Sequence, residues 1–502
     1  MARSLKVSQN SIETLKLALR RSRYLRQQDI AEELELSLTT VKRFFSGERI
    51  ASSVFLKICQ KLELDWQELV DDDPELYFER GNTNIKSGRY EEAIASYDKA
   101  IEIKPDFYEA WLYRGEALLK LGRFEEAIHD YEQTLVITQE IGYLSEQAFC
   151  LNNLGNVYNS LGEYQRAIDF HQRSLEIARE IGDRYGEMIS LSNLGRVYCE
   201  GTQGSKAENI ESAIAVYTSV LEICDREFFP EQWAEIQYSL GQAYSERIKG
   251  NKAGNLELSI TAYNKALSVF TRTAFPEQWA MTQYKLGTVY AYRIEGDKVN
   301  NIEKSIATYK AALKIIIPKT FPHEWAKIQN SLGDIYCNRI RGDKANNIKK
   351  AIAAYKKALA FFTVDNFNYE WVRIQNNLGR AYFNKIQGDK AENLELAIAY
   401  HQQAFKVFTF NAFPVDWAAT HNNLGLAFSE RIRGDKAENL QTTVTCYKLA
   451  LQVYTREAFP QEWAMIQMNL GTAHRHRQDL RIDKLDNKCS RGKKKKYAIA
   501  SP

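Results

Sequence analysis

Phe413-Pro414-Val415-Asp416-Trp417-Ala418, then Leu424-Gly425, then Arg431-Ile432-Arg433-Gly434-Asp435-Lys436-Ala437 with Asn439 behind it, is one copy of a unit that recurs along the chain. Trp233, Trp279, Trp325, Trp371, Trp417 and Trp463 fall 46 residues apart, and Gly241, Gly287, Gly333, Gly379, Gly425 and Gly471 keep the same step. A fixed period of this size signals stacked repeats, each burying its apolar face on its neighbour. Pro230, Pro276, Pro322, Pro414 and Pro460 suit the first position of a helix, where the missing N–H is no loss. Asn368 takes that place in one copy. Within each copy the apolar stripe closes on Tyr and Ala, so the unit reads as a helical hairpin, and one Trp per copy reads as packing between hairpins.

Composition agrees with an array. The 502 residues exceed what one hydrophobic core usually serves. The chain is 44% apolar and 26% charged, with no apolar run long enough to cross a bilayer and no signal-like apolar core from Met1 to Asn10. Cys59, Cys150, Cys199, Cys224, Cys337, Cys446 and Cys489 are scattered without a paired spacing, which argues against zinc sites and disulfides and fits a cytoplasmic protein. A net charge of +3 restricts any nucleic-acid binding to a local patch.

Upstream of the 46-residue period, Tyr77, Gly81, Ala93, Tyr97, Ala100 and Pro105, then Trp111, Gly115, Ala127 and Tyr131, stand one shorter unit apart. This spacing resembles the tetratricopeptide repeat (TPR) family. The resemblance implies an α-solenoid, a right-handed superhelix of about nine helical hairpins whose first helices line a concave surface. A longer unit carries Asn152-Asn153-Leu154-Gly155, Tyr158 and Ala167. The next has Gly195, Tyr198 and Ala213, with a Gly-to-Ala gap of 18 in place of the 12 between Gly81 and Ala93, so six residues have entered the turn. That turn recurs from Gly204 to Asn209, Gly250 to Asn255, Gly296 to Asn301, Gly342 to Asn347, Gly388 to Asn393 and Gly434 to Asn439. Its glycine suits a left-handed position and its asparagine is expected to cap the next helix. One glycine per turn and no Gly-Lys-Ser/Thr exclude a nucleotide loop. Asp297, Asp343, Asp389 and Asp435 are expected to form an edge ladder with Arg247, Arg293, Arg339 and Arg431.

The run from Gln27 to Phe44 resembles a Cro/CI-type helix-turn-helix, as found ahead of repeat arrays in cyanobacteria. Ile30, Ala31, Leu36 and Val41 would be buried, Ser37 would cap the second helix, and Leu38, Thr39, Lys42 and Arg43 would be exposed. The resemblance implies DNA contacts from Gln27, Thr39, Thr40, Lys42 and Arg43. Glu35 stands where a turn glycine is usual, and Leu38 where a polar base reader is usual. A helical adaptor or dimerisation module with a solvated basic face is the alternative.

The expected organisation is all-α: a helix-turn-helix domain at 1–72, two short units at 74–143, extended units at 144–479 ending in an incomplete repeat, and a disordered basic tail at 480–502. Two residues before the repeat glycines stand Asn153, Asn193, Asn377, Asn423 and Asn469, and three before stand Asn152, Asn330, Asn376 and Asn422. These resemble the amide-rich repeats of kinesin light chains and of peptide-sensing bacterial regulators, which implies a groove that holds an extended peptide by its backbone. The alternative is that each Asn bonds a neighbouring helix. The seven histidines are dispersed and no catalytic set, cofactor or metal site emerges. The expectation is a non-enzymatic scaffold for a protein or peptide partner, with DNA binding by residues 1–72. The alternative is a partner-responsive transcription regulator.

Overall fold

The computed structural model describes residues 4–5, 7–8, 11–22, 24, 26–64, 73–201 and 204–498, and side chains as far as residue 480. The chain divides into two compact units, Met1–Asn209 and Ile210–Pro502.

The first unit opens with α1 (Ile12–Arg21), α2 (Gln27–Glu33), α3 (Leu38–Phe45) and α4 (Ser52–Lys61). Two short antiparallel strands, β1 (Ser4–Leu5) and β2 (Ile50–Ala51), accompany them, where the sequence reading expected helix alone. Ile30, Ala31, Val41, Phe44, Phe55 and Ile58 form the core of this part. Hairpins follow: α5 (Pro74–Lys86) with α6 (Tyr90–Ile103), α7 (Tyr108–Lys120) with α8 (Phe124–Ile141), and α9 (Leu144–Ser160) with α10 (Tyr164–Glu180), then α11 (Arg184–Glu200). Asp73 caps α5 by accepting from the Glu75 N–H, and Pro74 takes its first position. Asp71 and Asp72, which precede it, lie outside the described residues.

In the second unit α12 (Lys206–Ile223) precedes five hairpins. They pair α13 (Pro230–Glu246) with α14 (Lys252–Leu267), α15 (Pro276–Tyr292) with α16 (Lys298–Ala312), and α17 (Pro322–Asn338) with α18 (Lys344–Leu359). The last two pair α19 (Asn368–Phe383) with α20 (Lys390–Ala404) and α21 (Pro414–Glu430) with α22 (Lys436–Ala450). The first helices α13, α15, α17, α19 and α21 each touch the next in the row. The second unit is thus an all-α row of stacked helical hairpins. The last helix, α23, runs from Pro460 to Ala498, so the basic stretch expected to be disordered is helical to Ala498. Its Lys, Arg, Leu and Gln residues are good helix formers.

One contact sets each hairpin. The repeat glycine of the first helix lies under an aromatic ring of the second: a Cβ on Gly241 would stand 2.7 Å from Tyr263 Cδ1, and one on Gly425 2.8 Å from Tyr447 Cε1. In two hairpins the ring is an imidazole, with His171 over Gly155 and His401 over Gly379. Ser259 and Ser305 exploit the same closeness by donating to the carbonyls of Gly241 and Gly287 at 2.6 and 2.8 Å. The tryptophans are half-buried, and Trp279, Trp325 and Trp371 pack on the shared apolar core.

Turn chemistry differs from expectation in one respect. Gly250, Gly296, Gly342, Gly388 and Gly434 do adopt the left-handed conformation, with φ from 77 to 87°. The helix caps, however, are Asn251, Asp297, Asp343, Asp389 and Asp435, each accepting from a backbone N–H of the first turn. Asn255, Asn301, Asn347, Asn393 and Asn439 are instead buried and fold back on the loop, donating to the carbonyls of Lys249, Glu295, Arg341, Gln387 and Arg433 at 2.9–3.0 Å. With the aspartates engaged as caps, the arginines pair elsewhere. Arg247, Arg293, Arg339 and Arg431 each hold, through two nitrogens, a glutamate 36 residues earlier: Glu211, Glu257, Glu303 and Glu395, at 2.6–2.8 Å. The hydrogen bond from arginine lowers the pKa of Glu211, Glu303 and Glu395 below the usual carboxylate value.

Gly471 holds the repeat-glycine position in α23, yet a Cβ there would meet nothing within 4 Å. The same substitution should therefore act oppositely at two equivalent positions. Gly241→Ala should destabilise the array by roughly 1–3 kcal/mol through overpacking, and Gly471→Ala should stabilise it by up to about 1 kcal/mol through helix propensity. Thermal denaturation followed by circular dichroism reads both.

Candidate functional site: the amide row of the first helices

The expected groove residues occupy one face of successive first helices, and many are bonded to each other. In the first unit Asn193 Nδ2 donates to Asn152 Oδ1 at 3.0 Å, and Arg196 donates to Asn193 Oδ1 and to Asn156 Oδ1 at 3.0 and 2.7 Å. His171 Nδ1 lies 3.0 Å from the same Asn152 oxygen. Asn153 is half-buried beside them on α9.

The second unit repeats the arrangement. Asn423 Nδ2 donates to Asn376 Oδ1 at 3.4 Å, and His401 Nδ1 stands 2.8 Å from that oxygen. One hairpin earlier, Asn377 Nδ2 donates to Asp334 Oδ1 at 3.0 Å, where the Tyr355 hydroxyl also donates at 2.6 Å. Burial raises the Asp334 pKa, while the Tyr355 hydrogen bond opposes the rise. Sequence reasoning missed Asp334, though its place directly after Leu332-Gly333 marks it as a neighbour of the amide row. Asn422 is buried and Asn330 half-buried, and each has a buried Oδ1 without a hydrogen-bond partner among the described residues. Asn469 is half-buried on α23. Ser239 and Lys285 hold the equivalent position on α13 and α15, and desolvation lowers the Lys285 pKa. Where bonds are seen the two positions divide: Asn152 and Asn376, three before glycine, meet the hairpin's own second helix, and Asn193, Asn377 and Asn423, two before glycine, reach the preceding first helix.

The two imidazoles follow from this geometry. His171 and His401 are fully buried, and desolvation, with Arg196 and Arg380 adding repulsion, lowers both pKa values to about 3. If Nδ1 donates to the asparagine oxygen, Nε2 is unprotonated, and it has no partner among the described residues.

The N-terminal candidates form a separate group. Glu35 takes φ 54°, so the turn between α2 and α3 adopts the left-handed conformation without a glycine. Ser37 caps α3 by accepting from the Thr40 N–H at 3.1 Å, and its hydroxyl also bonds Thr40 Oγ1 at 2.7 Å. Thr39, Lys42 and Arg43 are exposed, and Gln27 is half-exposed at the start of α2. Arg43 is tied to Glu48 at 3.3 Å and to the Arg49 carbonyl at 2.7 Å. Leu38, expected on the exposed face, packs on the apolar core of this part because its position on the first turn of α3 turns it inward. Among the described residues no group of His, Cys, Asp and Glu could hold a metal ion, and no helix is long and apolar enough to cross a membrane.

Sequence comparison matches residues 106–180 and 146–210 to the family described as tetratricopeptide repeat, and residues 81–122 to the TPR repeat. No curated protein matches the sequence. Among solved structures, a tetratricopeptide repeat protein from Parabacteroides merdae is 17% identical, with 61% of this chain and 98% of that one covered and a TM-score of 0.40. The apo form of RapI is 14% identical over 57% and 96% of the two chains, with a TM-score of 0.43, and MamA is 22% identical over 40% and 93%, with a TM-score of 0.30. Residues 81–210 therefore carry tetratricopeptide repeats.

The imidazoles generate a pH prediction. Both pKa values are depressed on folding, so unfolded chains bind more protons between about pH 6.5 and 3. Stability from these sites is full above that window and is lost as the pH falls through it. Replacing His401 by Tyr, the residue of the neighbouring hairpins, should flatten the fall in urea-denaturation stability between pH 6.5 and pH 4.5; an unchanged slope would count against a neutral buried His401.

Proposed function

We propose that this protein is a non-enzymatic scaffold that holds an extended peptide segment of a partner protein along the row of first helices. The observation that carries the reading is the bonding of amides from one first helix to the one before, Asn193 on Asn152 in one unit and, in the other, Asn423 on Asn376 with Asn377 on the Asp334 carboxylate. An amide has two N–H groups and a carbonyl, so Asn377 and Asn423 each retain hydrogen-bonding capacity after their neighbour contact. Within each cluster such groups stand on consecutive first helices and suit the donors and acceptors of an extended backbone, with Ser239, Lys285 and Ser331 interrupting the row. Asn153, Asn330, Asn422 and Asn469 extend the candidate surface. The tetratricopeptide repeats at 81–210 support the same class of function.

Serine occupies the equivalent position at Ser239 and Ser331, so Asn377→Ser with Asn423→Ser should leave folding intact. We expect that double variant of the full chain to lose most of its capture of the native partner in a pull-down, with an unchanged melting curve. Full capture by the folded variant would remove the amide row from the reading.

A second reading rests on α3. Its exposed Thr39, Lys42 and Arg43, beyond the Ser37 cap and the Glu35 turn, present the side chains that a DNA-reading helix needs. In that reading, partner binding regulates attachment to DNA. Gel shifts of the full chain should then weaken steeply as salt rises, and Lys42→Ala should weaken them uniformly across sequences; absence of salt-sensitive binding would sink it.

A further inference from the structure

The edge contact of the second unit recurs at five successive junctions, and one of them departs from it. Four hold the arginine–glutamate pair: Arg247 with Glu211, Arg293 with Glu257, Arg339 with Glu303 and Arg431 with Glu395. At the remaining junction the same two positions are Lys385 and Lys349. Lys385 keeps the amide half of the arginine's contacts, because its Nζ donates to Asn393 Oδ1 at 3.1 Å as Arg339 Nη1 does to Asn347 Oδ1 at 3.4 Å. The carboxylate half is gone. Among the described residues no carboxylate lies within ion-pair distance of Lys349 or Lys385.

The two lysines instead line one pocket of about 300 Å³, together with Ala345, Ile352, Gln387 and Gly388. Helix α18, which carries Lys349, has four further lysines, Lys344, Lys350, Lys356 and Lys357, and neither Asp nor Glu within it. The corresponding helices α14, α16 and α20 each carry the glutamate that completes the pair. Where the other junctions pair a cation with a carboxylate, this one places two lysines without a carboxylate partner in the wall of a cavity. A single carboxylate would leave one of them unmatched, whereas a phosphate group carries a charge of about −1.5 to −2 near pH 7 and several acceptor oxygens.

We propose that the pocket between Lys349 and Lys385 binds a phosphate group, which takes the place that glutamate fills at the neighbouring junctions. The site uses none of the amides of the groove, so its occupancy and the peptide reading stand or fall separately.

The test compares the full wild-type chain with Lys349→Glu combined with Lys385→Arg, the pair found at the other four junctions and therefore compatible with folding. Isothermal titration calorimetry with inorganic phosphate, at ionic strength held constant with sodium chloride, should show saturable binding to the wild type. The double variant, checked by its melting curve, should bind at least about tenfold more weakly. Equal binding by the two proteins, or no saturable binding to the wild type by any probe, overturns the proposal. A second arm with O-phospho-L-serine identifies the source: tighter binding than inorganic phosphate assigns the site to a phosphorylated side chain, and weaker binding to the free anion. If the double variant does not fold, Lys349→Gln alone, a change at an exposed position, must show the same loss.

Discussion

The close crossing of two helices at a glycine governs the rest of this structure. A ring from the second helix of a hairpin rests on the glycine of the first, closer than any side chain there would permit. That closeness decides what can stand one turn away. Where the ring is Tyr263 or Tyr309, the first helix supplies Tyr238 or Tyr284, with ring centres 5.7 and 6.1 Å apart. Where the ring is His171 or His401, it supplies Asn152 or Asn376, whose oxygen meets the imidazole Nδ1. A buried imidazole needs a polar neighbour, and a buried tyrosine ring accepts an aromatic one. In these four hairpins core chemistry matches the residue that borders the row of amides, whereas under Tyr355 and Tyr447 the first helix supplies Asn330 and Asn422.

The edge of the array obeys a second constraint. The loop between the helices of a hairpin carries carbonyls that no helix satisfies, and one buried asparagine per turn bonds them. The arginine that ends the first helix stacks its contacts on the same asparagine and reaches the glutamate of the previous hairpin. These glutamates are roughly three-quarters buried as side chains, at 25–31% exposure, so the bidentate geometry matters more than at a fully solvated pair. At four junctions of the second unit a hairpin is thereby fastened to the helix before it by a polar contact as well as by its apolar face.

The period was legible in the sequence because the Trp, the repeat Gly and, in every copy but the one with Asn368, the proline each answer a single geometric need. The roles of the turn residues were not. Asp343 and Asn347 are both residues that cap helices, and only the φ of the intervening chain decides that the first caps and the second folds back. The arginine partner was hidden for a related reason: Glu303 and Arg339 lie 36 residues apart, which matches neither a helical spacing nor the period until the stacking is known. In the N-terminal part, Ser37 was readable as a cap because its role is local, whereas the inward turn of Leu38 depends on packing with residues distant in sequence. Among the candidate amides, spacing placed them on one face. It did not separate those that serve the core from those that reach the next helix.

Repetition also changes what a single substitution means. In a non-repetitive protein Lys349 and Lys385 would be two surface lysines among many. Here four sister junctions state what those positions normally hold, so the paired exchange removes a carboxylate and leaves its cation in place. Loss of the ion pair requires only that one partner become neutral, whereas here both positions carry a cationic side chain in the wall of one pocket. A group of the opposite charge would complete what the exchange removed, so the proposed site follows from the departure from the repeat and not from the repeat itself.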